Sequence, residues 1–221
     1  MHVDDNILII GIVSHKKEAA LTTPVSQRDQ YRVDALKKTF NFVFTMTQDC
    51  DDNISDQVHH LQHAMNSKGA SALIKHLDEQ NPTVKFDFIC LEFVRMPSEY
   101  YERFVTGIGK IPGSPLVGFL KCLRDGGKLN FGCKLLVATI GCKKGSYCDR
   151  WPTTKHLLEA EFGESREVEA NANPYYQACA LVACRSEVYN PVEQLKTKNS
   201  NEKPFTEFTV LPDDVLIVVA I

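Results

Sequence analysis

Short, continuously apolar runs alternate along this chain with longer stretches at helical spacing, the pattern of strands buried on both faces and separated by helices. The first run, Ile7 to Val13, ends near Gly11 and Ser14 and predicts a central parallel strand. Residues 15–25 are polar and close on a Thr-Thr-Pro sequence. Ser26 can then cap a helix through Phe40, with Tyr31, Val33, Leu36 and Phe40 as its apolar face and Arg28 and Arg32 on one side. Phe42 to Thr47, rich in β-branched and aromatic residues, predicts a second strand ending at the acidic cluster Asp49, Asp51 and Asp52. Helical spacing runs from Ser55 to Gln80, with an interruption at Gly69 and a stop at Asn81 and Pro82.

A central strand is expected from Val84 to Phe93, followed by a charged and aromatic turn, Arg95 to Tyr101, and a loop over 102–113. Leu116 to Leu123 reads as a helix closed by Gly126 and Gly127, because glycine readily takes the left-handed conformation past a helix end. Leu129 to Ile140 reads as a strand with a bulge or kink at Gly132. A long loop holding Trp151 is expected over 141–154 and a short helix over 155–163. Strands follow at Val168 to Ala172, Gln177 to Arg185 and Val215 to Ile221, with a polar stretch from Gln194 to Lys203 between the last two. No long helix is predicted between these closing strands, so they should pair antiparallel.

Strand and helix alternation in the first 140 residues implies an α/β, Rossmann-like fold: a mostly parallel sheet with right-handed crossovers, helices on both faces and an antiparallel C-terminal strand pair. At 221 residues one domain, 1–221, can hold the whole core. A hydrophobic fraction of 43% and a formal charge of −3 describe an ordinary folded protein with no general attraction for nucleic acid. The acidic start and short first apolar run are unlike a secretory leader, and no run is long enough for a membrane helix, so the expectation is a cytoplasmic protein. Its eight cysteines are scattered without a CxxC pair and read as small core side chains.

In open α/β sheets ligands bind outside the carboxyl ends of the strands, which places Glu92, Arg95, Pro97, Glu99 and Tyr100 where chemistry is expected. With its closing antiparallel pair, the chain resembles the class I, S-adenosylmethionine-dependent methyltransferases. The resemblance is architectural across most of the chain. That family carries a glycine-rich turn after the first strand, where this sequence has only Gly11, with Ser14 beyond it. It carries an acid near the end of the second strand that accepts hydrogen bonds from the cofactor ribose, and Asp49 stands at that position. Arg95, Met96, Pro97, Ser98, Glu99 and Tyr100 resemble its short proline and aromatic motif after the fourth strand, without the double proline. The resemblance thus implies S-adenosylmethionine as cofactor, held by Gly11, Ser14, Asp49 and Glu92. Glu99 and Tyr100 would orient an acceptor that the sequence does not identify, with Arg95 of the same turn as a substrate-binding cation. Separately from the resemblance, Arg28 and Arg32, one turn apart, could clamp a phosphate or carboxylate of the substrate or only pair with acidic neighbours.

Other readings compete at each of these places. Tyr100 and Tyr101 can pack the turn against the sheet while Glu92 pairs with Arg95, leaving a Rossmann-like binding module without catalysis, as the eroded glycine turn suggests. Asp49-Cys50-Asp51 also resembles the DxD triplet of metal-dependent nucleotide-sugar transferases, but it follows the second strand where that family's triplet comes after several βα units, which favours a solvated acidic loop capping the next helix through Ser55 or Asp56. His59 and His63 are spaced i to i+4, which on a helix could hold one metal or form a polar face, and the glutamate of a HExxH motif is absent. Residues 141–146, with Lys143 and Lys144, could bind an anion or form a basic surface loop, and do not match a P-loop.

Overall fold

The computed structural model describes residues 4–10, 36–47, 59–62, 66–92, 114–138, 151–169, 172–173, 176 and 215–221. They build one seven-stranded sheet. In chain order the elements are β1 (Asn6–Ile10), a helical turn α1 over 36–39, β2 (Phe42–Thr47), β3 (His59–Gln62) and α2 (Ser67–Gln80). There follow β4 (Phe86–Glu92), α3 (Pro115–Asp125), β5 (Leu129–Ala138), α4 (Trp151–Phe162), β6 (Ser165–Glu169) and β7 (Val215–Ala220). The strand order is β3-β2-β1-β4-β5-β7-β6. Strands β1 to β5 are mutually parallel, and β7 runs antiparallel to both of its neighbours, β5 and β6.

The apolar runs take both faces because each strand residue points opposite to the next. Leu8 and Ile10, Phe44 and Met46, Leu91, Leu135 and Val137, and Ile217 and Val219 face one layer of helices. That layer supplies Leu73 and Leu77 from α2, Leu116, Phe119, Leu120 and Leu123 from α3, and Leu158 from α4. The alternate residues Ile7, Ile9, Val43, Phe88, Cys90, Leu136 and Val218 are buried on the opposite face. There Phe40, just past α1, meets Phe88 edge to face with ring centroids 5.6 Å apart. Both faces of the sheet are therefore buried, one under α2, α3 and α4 and the other, among the described residues, against α1 and Phe40.

Local chemistry sets the ends of the elements. Asn66 caps α2 by accepting hydrogen bonds from the backbone N–H groups of Lys68 and Gly69. Gly69, expected to interrupt this stretch, instead lies in the first turn, where its N–H has no helical partner to lose. Ser114 caps α3 ahead of Pro115, and Gly127, at φ 68°, reverses the chain after it. In the β4–β5 pairing, Phe86 stands opposite Leu129 and Phe88 opposite Lys134, so Asn130 to Cys133 bulge out against Asp87 alone. Gly132 sits in that bulge at φ 78°, a conformation that favours glycine.

Three further expectations are corrected. His59 begins a strand, so no helical turn spaces it against His63, and the imidazole pair read there does not exist in that form; His63 itself lies outside the described residues. Trp151 starts α4 and not a loop, because Pro152 is tolerated in a first helical turn. The strand expected at Val168 to Ala172 begins earlier, at Ser165, where β7 supplies its hydrogen-bonding partners. The strand expected over Gln177 to Arg185 lies outside the described residues.

Candidate functional site

The two edges of the sheet differ in what the structure describes of them. At the amino ends of β2, β4, β5 and β6 the connections are short: 40–41, 81–85, 126–128 and 163–164. Beyond the carboxyl ends of β4, β5 and β6, residues 93–114, 139–150 and 170–214 precede the next described strand or helix, and most of them lie outside the described residues.

Side chains at the amino edge are committed to holding strands together. Asp87 accepts a hydrogen bond from the Asn6 backbone N–H at 2.8 Å and another from Asn130 Nδ2 at 2.7 Å, joining β1, β4 and β5. Asn6 Nδ2 donates to the Lys85 carbonyl at 2.8 Å. Lys128, buried, forms an ion pair with Asp78 and donates to the Pro82 carbonyl. Burial, and secondarily the charge of Asp87, push the Cys133 thiol up to about 12, so it is protonated and unreactive at neutral pH. Cys90 is buried as well, in line with cysteines acting as core side chains. This edge is a clamp.

The carboxyl edge holds the switch point. From β1 the sheet grows through β2 and β3 on one side and through β4 and β5 on the other, so its switch point lies at the carboxyl ends of β1 and β4, where open α/β sheets generally bind ligands. Ile10, the last residue of β1, pairs with Met46 of β2 on one side and Leu91 of β4 on the other. Glu92 closes β4 one residue later, opposite Ala138 of β5. The sequence passes directly from these ends into the predicted site residues: Gly11 follows Ile10, Asp49 comes two residues after Thr47, and Arg95 three after Glu92. Glu92 is thereby placed, by its backbone, beside the switch point. Gly11, Ser14, Arg28, Asp49, Arg95, Glu99 and Tyr100 lie outside the described residues, as do the lysines of 141–146.

Two features of this edge escaped the reading of the sequence. The amino termini of α2 and α3 both face the carboxyl edge and lie against each other: a Cβ built on Gly118 would come within 2.9 Å of Ser67 Oγ. Neither helix carries an acid in its first turn. The signals available were Asn66 ahead of a helical run and the Ser114-Pro115 pair, which mark helix starts but not their proximity.

Among the described residues there is no group of three metal-ligating side chains. No described helix is long and apolar enough to cross a membrane.

No family model matches the sequence, and no curated protein matches it. Solved structures do match. One is a short-chain dehydrogenase family protein from Francisella tularensis subsp. tularensis SCHU S4, at 12% identity and a TM-score of 0.36. That match covers 71% of this chain and 61% of the dehydrogenase chain. The Rossmann-like architecture stands on the strand order itself.

Proposed function

We propose that this chain is an S-adenosylmethionine-dependent methyltransferase whose cofactor lies across the carboxyl ends of β2, β1 and β4. The observation that carries the reading is the placement of antiparallel β7 between β5 and β6. A dinucleotide-binding Rossmann sheet is parallel through its sixth strand in the order 3-2-1-4-5-6. Here the same order is broken by one reversed strand, giving the antiparallel finish that distinguishes the methyltransferase class.

The three strands from which that class draws its cofactor residues end side by side here, and this adjacency supports the reading. Gly11 and Ser14 after β1, Asp49 after β2 and Glu92 at the end of β4 are the residues that would hold it. Asp49 is the group for the ribose hydroxyls, because a carboxylate accepts from two donors at once. When bound, S-adenosylmethionine supplies an electrophilic methyl group on a sulfonium. The protein then has to align the acceptor in line with that methyl and keep water out. Glu99 and Tyr100 are suited to orient the acceptor through hydrogen bonds, and Arg28 and Arg95 to hold a negatively charged part of it.

A second reading, a Rossmann-like binding module without catalysis, is favoured by the single glycine after β1, where backbone must approach a cofactor closely. Calorimetric titration with S-adenosylmethionine and S-adenosylhomocysteine separates the two. The methyltransferase reading expects saturable binding of both, weakened about tenfold or more in Asp49→Ala as a charge-assisted contact is lost. Absence of binding to millimolar ligand would remove the cofactor assignment and leave the module.

A further inference from the structure

We draw no further inference here: the strongest candidate, the fully exposed Phe131 carried on the β5 bulge at the amino edge of the sheet, is an apolar surface feature for which nothing in the structure shows what covers it.

Discussion

Replacing Asp87 with alanine tests whether the amino edge is a clamp and nothing more. The carboxylate accepts two hydrogen bonds, from a backbone N–H of β1 and from the side chain of Asn130 in β5, both part-buried. A hydrogen bond to a charged acceptor contributes about 1.5–3 kcal/mol, and this part-buried site belongs at the lower end of that range. Two such bonds put the cost of Asp87→Ala at about 3 kcal/mol. Asp87→Asn keeps the shape, but its amide can accept through one oxygen only and turns its NH₂ toward one donor. It should cost about half as much. Urea unfolding followed by far-UV circular dichroism reads both, as a lower midpoint with an unchanged slope. S-adenosylhomocysteine titration of the still-folded variants adds the functional control, with affinity expected to stay at the wild-type level because the switch point lies at the other edge. A loss below about 0.5 kcal/mol in Asp87→Ala, the size of an ordinary surface substitution, would refute the clamp. So would a selective loss of ligand binding at unchanged stability.

Three further outcomes follow from the packing. Gly126→Ala would set a Cβ 2.6 Å from Ile74 Cδ1 and 3.0 Å from the Cys122 carbonyl, so it should destabilise by about 1–3 kcal/mol, and adding Ile74→Val should restore only part of this because the carbonyl stays; chemical denaturation of the single and double variants checks it. Glu159 is held below the usual carboxylate range by hydrogen bonds from the Ser165 hydroxyl at 2.6 Å and backbone N–H at 2.8 Å, with Lys155 helping. A lowered folded value means stability that is complete above the unfolded carboxylate value, about 4.3, and lost as pH falls through the folded one. The thermal-stability gap between wild type and Glu159→Gln should therefore be constant above about pH 5 and shrink under acid; a gap that widens under acid would contradict it. Cys133, with its thiol at about 12, should resist iodoacetamide in the native protein at pH 8 and react once the chain is unfolded, as read by peptide mass mapping.

The parts of the fold that sequence revealed are those where one physical signal dominates. Phe42 to Thr47 form β2 with the expected boundaries, because six consecutive residues of strand-forming type are bounded by Asn41 and by acids. The helix over 115–125 and the bulge at Gly132 were legible because glycine marks positive φ, and Gly127 and Gly132 both adopt it. The antiparallel finish followed from the lack of a helical stretch before Val215. What could not be read was structure supplied by a neighbour. His59 to Gln62 contain a single aliphatic residue, and Ser165 to Glu169 a single valine; both are strands because β2 and β7 offer them hydrogen bonds. Local pattern does not carry that information. Of the candidate site, the strand end that carries Glu92 was legible: the sequence placed it at the close of a central parallel strand, and Glu92 ends β4 beside the switch point. The roles proposed for Asp49, Glu99 and Tyr100 would depend on side-chain geometry, which hydrophobic periodicity does not encode.

The reversed seventh strand also sets the order in which the sheet can be completed. Among the described strands, β5 and β6 meet only through β7, and β7 comes last in the chain. During synthesis, then, the first five strands and their helices can assemble while the outer backbone of β5 still offers unpaired N–H and C=O groups, and β6 has no partner in hand. Such an open edge is a template for another chain. Because Ala138 must wait for Leu216 to close it, this is a long-range and therefore slow contact. The nascent protein is most exposed to mispairing in the interval before Val215 to Ala220 have been made.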